Sequence, residues 1–208
     1  GAVVTVSLGG STDSPWDKDP TTVGKQVAAW VVAQHLDGVD FDLENLAAGF
    51  TAGGMSAQQT VNWIATVSQT ASQAIGSGAI ISHAPQGPYF GPIGATNTWT
   101  GSTGGYASVE KQAGSYITFY NVQFYNQGAT CYVDFNGLFL ESAASCPVFP
   151  NTSVAEIYNA GIPLSKIVVG KPVTSADASN GWVSGSDLAS FFGQAKSKFG
   201  WDTGVMGW

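Results

Sequence analysis

Short hydrophobic runs alternate along the chain with longer segments in which hydrophobic residues recur at helical spacing. The runs have the length of β-strands, and turn residues or a helical pattern follow them, which predicts buried strands. Six such runs cover residues 2–8, 38–43, 79–83, 116–124, 167–173 and 204–208.

The segments between these runs predict four helices. The clearest start is the capping box Ser153-x-x-Glu156, and glycines at Gly76 and Gly161 mark two of the helix ends. The helices are predicted at about residues 20–36, 56–76, 153–161 and 187–198.

Strands that alternate with helices indicate a parallel α/β fold with right-handed crossovers. A doubly wound sheet and a (β/α)8 TIM barrel both fit this alternation. The barrel is favoured because polar residues with catalytic potential follow several strands, where barrels carry their active sites. A barrel has eight strands and typically about 250 residues, whereas this chain has 208 residues and six predicted strands. We therefore expect residues 1–208 to form a single partial domain that lacks the first two βα units and the last helix.

The composition favours a compact protein and argues against two classes of partner. Charged residues make up 10% of the chain and hydrophobic residues 44%, which is typical of neither a disordered segment nor a solvated coil. The net charge is −7 and all seven basic residues are lysines, so nucleic acid is not an expected partner. No run of 18 apolar residues is present, so no membrane span is expected.

The two cysteines, Cys131 and Cys146, are too far apart for a CxxC pair and favour a disulfide. Such a bridge would stabilise the fold by about 3 kcal/mol in the chain-entropy model. A nearby glycosylation sequon begins at Asn151, and together these features predict a secreted glycoprotein. The two histidines, His35 and His83, lack the spacing of metal ligands. We expect no metal and no cofactor.

The densest acidic segment covers residues 37–44, where Asp40, Asp42 and Glu44 alternate with hydrophobic residues. On a strand, the three carboxyl groups share one face at steps of about 6.6 Å. An exposed polar face is the alternative interpretation, but helices flank the strand on both sides and predict an interior position. Coupled carboxyl groups let one group hold a proton near neutral pH while a neighbour stays ionised, as glycoside hydrolysis requires. Glu44 lies nearest the carboxyl end and is best placed to protonate a leaving oxygen.

The motif Asp37-x-x-Asp40-x-Asp42-x-Glu44 resembles the DxxDxDxE signature of glycoside hydrolase family 18. This family contains chitinases and endo-β-N-acetylglucosaminidases. The segment Ser7-Leu8-Gly9-Gly10 resembles the SxGG motif of the family's third barrel strand. The chain would then run from about strand 3 to strand 8, which accounts for the absent first pair.

The resemblance extends over nearly the whole chain and implies a set of substrate-binding residues. It includes Ala84-Pro85-Gln86, the segment from Gln123 to Asn126, and the final Trp208. It implies that Trp208 forms the floor of the sugar site and that Gln86, Gln123 and Asn126 are further contacts. Asp37, Ser7, Gly9 and Gly10 belong to its structural motifs.

The resemblance also implies a retaining mechanism in which the substrate's own 2-acetamido oxygen is the nucleophile. Glu44 would be the general acid and later the base. Asp42 would orient the acetamido group, Asp40 would share a proton with Asp42, and Tyr125 would donate a hydrogen bond to the acetamido carbonyl.

For several residues the sequence allows both a functional and a structural interpretation. His83 ends its strand and is either a substrate contact or a hydrogen-bonded structural group. Tyr89, Phe90 and Trp99 follow the same strand and either form sugar subsites or anchor their loop.

Three functions fit the motif. The first is a chitinase that cleaves β-1,4 bonds after N-acetylglucosamine in chitin or chitooligosaccharides. The second is an endo-β-N-acetylglucosaminidase that cuts the chitobiose core of N-glycans. The third is a non-catalytic lectin or inhibitor on the same fold, which the presence of Glu44 argues against. We expect a monomer with a carbohydrate substrate, and chitinase is favoured as the commoner activity.

Overall fold

The computed structural model of the chain describes residues 1–44, 46, 54–91 and 105–208. Six parallel strands form one sheet in which spatial order follows chain order. The sheet is curled, because residues of its first and last strands line a common cavity. The six predicted strands are therefore present, as β1 (Thr5–Gly9), β2 (Gly38–Asp42), β3 (Ile80–His83), β4 (Phe119–Gln123), β5 (Ile167–Lys171) and β6 (Val205–Gly207).

The described residues contain the four predicted helices and a fifth that was not predicted. They are α1 (Pro20–Ala33), α2 (Ala57–Ile75), α3 (Tyr106–Ala113), α4 (Val154–Asn159) and α5 (Gly185–Phe199). Side chains cap the predicted helices, as where the Ser153 hydroxyl accepts a hydrogen bond from the Glu156 amide. The helix α3 starts at Gly105, which offers no side-chain cap, so the capping rules do not detect it.

The two faces of the sheet differ in polarity because side chains alternate along a strand. Val39 and Phe41 of β2 are fully or almost fully buried in the hydrophobic core, which they share with Ile64 and Val67 of α2. The other face of β2 carries Asp40 and Asp42 towards the inside of the curl.

The register between strands brings polar residues to one level inside the curl. Ser7 of β1 pairs with Asp40 of β2, and Asp40 pairs with Ser82 of β3. Neighbouring strands in a parallel sheet lie only about 4.8 Å apart. Hydroxyl groups from both neighbours therefore reach the acidic strand.

The predicted disulfide is present between Cys131 and Cys146, whose Cα atoms are 4.5 Å apart. It closes a loop between β4 and α4 that includes a short π-helix, Asn136–Leu140. None of the described helices combines the length and the hydropathy that a membrane span needs.

Gly9 permits the close approach of β1 to β2 beside Asp42. Its φ of 122° suits glycine, and a Cβ atom added there would overlap the carbonyl oxygen of Asp42. The Gly10 amide donates a 2.7 Å hydrogen bond to the same oxygen.

We predict that Gly9→Ala lowers the free energy of unfolding by about 2 kcal/mol or more, because both the overlap and the positive φ oppose a side chain. Gly193→Ala is the control, since Gly193 lies inside α5 with nothing within 4 Å of an added Cβ. The control should gain up to about 1 kcal/mol from helix propensity. Urea denaturation measures both changes, and equal stability of the two variants would contradict the assigned role of Gly9.

Candidate active site

A cavity of about 480 Å³ opens inside the curl at the carboxyl ends of the strands. Nine of the predicted site and motif residues line it: Ser7, Asp40, Asp42, Glu44, Gln86, Gln123, Tyr125, Asn126 and Trp208. The structure thus brings together residues from both ends of the sequence. A concave site at the carboxyl ends of parallel strands is where barrel proteins bind their ligands.

Asp40 is the most buried of the three acids, with 8% of its surface exposed. The Ser82 hydroxyl donates to its Oδ1 at 2.5 Å, and the Ser7 hydroxyl donates to its Oδ2 at 3.0 Å. The amide of Asn121 on β4 donates to Oδ1 at 3.2 Å. Three donors from three other strands therefore hold this carboxyl group in one orientation.

Asp42 lies one step nearer the carboxyl end and retains a proton more strongly than an ordinary aspartate. Burial is the largest cause, followed by the negative charge of Glu44, a hydrogen bond with Glu44 and the charge of Asp40, and together they raise the pKa of Asp42 to about 7. In this conformation the carboxyl of Asp42 pairs with Glu44, whereas Asp40 acts on it through charge alone. The implied sharing of a proton between Asp40 and Asp42 stays a prediction.

The side-chain amide of Gln123 bridges the two outer acids. Its Nε2 atom donates to Asp42 Oδ1 at 2.9 Å and to Glu44 Oε1 at 3.3 Å. It also donates to the Ala84 carbonyl oxygen at 2.8 Å. Gln123 lines the cavity as predicted, and in this structure its amide positions Asp42 and Glu44.

Tyr125 and Trp208 supply the aromatic part of the cavity. Tyr125 is 4% exposed, and burial, with the charges of Asp42, Glu44 and Asp40, raises the pKa of its phenol above the usual value. The phenol therefore stays a neutral hydrogen-bond donor. Trp208 is 62% exposed and presents an indole at the cavity, a surface on which sugar rings can stack.

Asn126 and Gln86 occupy the borders of the cavity. Asn126 has a φ of 59°, and its side-chain oxygen accepts hydrogen bonds from the amide and the hydroxyl of Ser179, both at 2.8 Å. Gln86 forms an isolated backbone bridge with Gln123. Both residues are thus placed at the site by neighbouring loops.

The structure contradicts the predicted substrate contact of His83. The Ser82 hydroxyl donates to Asp40 on the inner face of the sheet, so the next residue on the strand points to the other face, towards α2. His83 is fully buried, and its ring nitrogens lie 2.9 Å from the Ser68 hydroxyl and 3.2 Å from the Tyr106 hydroxyl. Burial lowers the pKa of His83 to about 3 and keeps it neutral. It is a core histidine.

The two described aromatic residues after β3 are buried, which identifies them as loop anchors. Tyr89 is 4% exposed and Phe90 3% exposed, and the Tyr89 hydroxyl donates to the Glu44 carbonyl oxygen at 2.6 Å. Trp99 lies outside the described residues.

Asp37 lies at the amino end of β2, away from the cavity. Its Oδ2 atom accepts a 2.7 Å hydrogen bond from the Val4 amide. It therefore links the start of β1 to β2, which is a structural role.

Sequence reasoning missed three strand residues that line the cavity, Thr5, Asn121 and Met206, and it missed Ser82, whose hydroxyl donates to Asp40. Each lies on a strand with the same two-residue alternation that identified the acids. Asn121 lies two positions before Gln123, so extending the alternation to every strand would have found it. Among the residues that the structure describes, no group of three His, Cys, Asp or Glu side chains could hold a metal ion.

Solved structures similar to this chain are chitinases and an endoglycosidase. A family 18 chitinase from Pseudoalteromonas aurantia is 27% identical, with a TM-score of 0.75 over 99% of this chain and 69% of that chain. A chitinase from Aspergillus fumigatus is 23% identical, with a TM-score of 0.67 over 98% and 63%. A fungal family 18 endo-β-N-acetylglucosaminidase is 22% identical, with a TM-score of 0.66 over 99% and 63%.

The chain thus spans 63% to 69% of the length of these three proteins. They confirm the prediction of a partial (β/α)8 barrel. No protein-family model matches the sequence, and no curated protein matches it significantly.

The raised pKa of Asp42 predicts a specific dependence of stability on pH. Between about pH 4 and pH 7 the folded protein keeps a proton that the unfolded chain has released, so this group's contribution to stability falls as pH rises. An amide at this position would not titrate, so the stability of Asp42→Asn relative to the native protein should rise over this window. Because water partly screens the carboxyl group, we expect a rise of about 1 to 2 kcal/mol. Urea denaturation at pH 4 and pH 8 measures it.

Asp13→Asn, at an exposed position outside the cavity, controls for the loss of one negative charge. A relative stability of Asp42→Asn that stays constant with pH would contradict the raised pKa.

His83 predicts the opposite pH dependence. Below about pH 6.5 the unfolded chain binds a proton that the folded protein takes up only near pH 3, so the native protein loses stability as pH falls through this window. We expect His83→Gln to be destabilised relative to the native protein at pH 8 and less so at pH 4. His35→Gln, at an exposed histidine, is the control. A catalytic loss in His83→Gln without a stability change would contradict the core assignment.

Proposed function

The chain has the fold of glycoside hydrolase family 18, and we propose that it hydrolyses β-1,4 bonds after N-acetylglucosamine by a substrate-assisted retaining mechanism. One observation carries this proposal. Asp42 and Glu44 share the Gln123 amide as a hydrogen-bond donor inside a cavity that also contains Tyr125 and Trp208, and burial beside Glu44 raises the pKa of Asp42 to about 7. This pair therefore holds an acidic proton at neutral pH where a sugar can bind.

In the first step the proton that Asp42 and Glu44 share lies on Glu44, which donates it to the glycosidic oxygen, and Asp42 is left ionised. The oxygen of the 2-acetamido group attacks the anomeric carbon as the bond to the leaving sugar breaks, and an oxazolinium ion forms. Asp42 accepts a hydrogen bond from the acetamido N–H and stabilises the positive charge. The Tyr125 hydroxyl donates to the acetamido oxygen and holds it near the anomeric carbon.

In the second step Glu44, now ionised, takes a proton from a water molecule. That water attacks the anomeric carbon on the face from which the leaving sugar departed, and the acetamido group is restored. Two inversions give net retention. Asp40 lies behind Asp42, and three hydrogen-bond donors hold its carboxyl group in place.

Chitin or chitooligosaccharide is the favoured substrate. The similarity to the Pseudoalteromonas aurantia chitinase, at 27% identity, exceeds that to the fungal endo-β-N-acetylglucosaminidase, at 22%. Cleavage of the N-glycan chitobiose core is the second candidate, because the fungal endo-β-N-acetylglucosaminidase is also similar to this chain. A lectin function is disfavoured because Glu44 and Tyr125 are both present in the cavity.

We also propose that the protein is secreted and glycosylated. The disulfide is a bond that persists in oxidising compartments. Asn151 of the sequon is exposed, as a glycosylation site requires.

The substrate proposal is tested by incubating the full-length protein with chitotetraose and, separately, with a high-mannose glycopeptide, and by following the products by mass spectrometry. We expect cleavage of chitotetraose alone. Cleavage of the glycopeptide would instead indicate an endoglycosidase, and binding without cleavage would indicate a lectin.

The role of Glu44 is tested with Glu44→Gln, which should lower kcat about 10²- to 10⁴-fold because a general acid is removed. Glu141→Gln, at an exposed acid outside the cavity, is the matched control and should retain activity. A Glu44→Gln variant as active as the native protein would overturn the assignment.

A further inference from the structure

A buried lysine lies at the carboxyl end of β5, beside the cavity but outside its lining. Lys171 is 2% exposed. Its Nζ atom donates to three backbone carbonyl oxygens, those of Tyr132 at 2.7 Å, Phe124 at 2.8 Å and Gly181 at 3.0 Å. Burial lowers the pKa of Lys171 to about 7, but three carbonyl acceptors match the three N–H donors of an ammonium group and favour the charged form.

Two of these acceptors are adjacent to Tyr125. The Phe124 carbonyl belongs to the peptide bond that precedes Tyr125. Gly181 packs against the backbone of Tyr125, because a Cβ atom added at Gly181, where φ is 91°, would lie 2.6 Å from the Tyr125 Cα atom. Lys171 therefore holds the backbone of Tyr125 against the loop after β5.

Further hydrogen bonds join the same two segments on the other side of Tyr125. The Asn126 amide donates to the Asn180 carbonyl at 3.1 Å, and the Gly128 amide donates to the Asn180 side-chain oxygen at 3.0 Å. We call this arrangement the clasp: residues 124–128 and 179–181, together with Lys171, which joins them on the buried side. Asn180 joins them on the outer side.

A buried ammonium is a costly way to join two loops. Removing a charge from water is unfavourable, and hydrophobic residues of similar volume often replace such groups without loss of stability. The lysine gives the clasp a fixed geometry, because its three directed hydrogen bonds restrict movement of the Tyr125 backbone.

We propose that Lys171 is a positioning residue that fixes Tyr125 at the height where its hydroxyl meets the acetamido group of the substrate. This inference rests on the proposed function. A shift of about 1 Å in a group that orients a nucleophile can lower a rate up to about 10²-fold. We expect kcat to fall rather than KM to rise, because the hydrogen bond from Tyr125 to the acetamido oxygen is strongest when that oxygen attacks.

The test is a double-mutant cycle of Lys171→Met and Tyr125→Phe on chitotetraose. Lys171→Met should lower kcat by about 10-fold with KM changed less than about 2-fold. In the Tyr125→Phe background the same change should lower kcat by less than about 3-fold, because the group that it positions is gone. Equal losses in both backgrounds would show that Lys171 acts only on stability and would overturn the proposal.

Asn180→Ala is a second variant that loosens the clasp without emptying a buried site. It should give a smaller kcat loss that also disappears in the Tyr125→Phe background. If Lys171→Met does not fold, this variant decides the proposal by the same criterion.

Amide hydrogen exchange provides a readout that does not depend on activity. In Lys171→Met the hydrogen-bonded amides of Phe124, Asn126 and Gly128 should exchange at least about 10-fold faster, while those of α2 stay unchanged. If the native protein cleaves neither substrate, the proposed function fails and exchange alone decides. Unchanged protection of these three amides would then overturn the positioning role.

Discussion

Three acidic side chains on one face of a strand repel one another and lose hydration when the sheet curls around them. The site is organised to offset this cost. Neighbouring strands provide hydroxyl and amide donors for Asp40, and Gln123 lies between Asp42 and Glu44. The cost that remains appears as the raised pKa of Asp42, and this retained proton is what acid catalysis of glycosidic cleavage needs.

The strands and the acids were predictable because both depend on short-range patterns. The alternation at 39–44 identifies one face of β2 without any knowledge of its neighbours, and the capping box at Ser153 marks a helix start locally. The partners of Asp40 are different. Ser82 and Asn121 are 42 and 81 positions away, and only the register between strands makes them neighbours.

His83 shows that an error of one residue in strand register is enough to misplace a predicted site residue. Position at the end of a strand suggested that it reaches the site, but a shift of one residue along a strand reverses the face to which a side chain points. The Ser82 side chain points to the inner face of the sheet and contacts Asp40, whereas the His83 side chain points into the core and contacts Ser68. The role of Lys171 could not be predicted from the sequence either, because its three acceptors lie on loops whose paths no local pattern describes. The helix α3, which begins at a glycine, lacks the signal that marks the others.

The turn Gly87–Phe90, which follows β3, is buried. Tyr89 binds the backbone of Glu44, and Phe90 packs in the core against Tyr106 and Tyr120. Tyr89 thereby ties the backbone of Glu44 to a turn that is anchored in the core. The position of the proposed acid thus depends on a phenol outside the acidic motif, and a motif left intact in the sequence can still be displaced by a change at Tyr89.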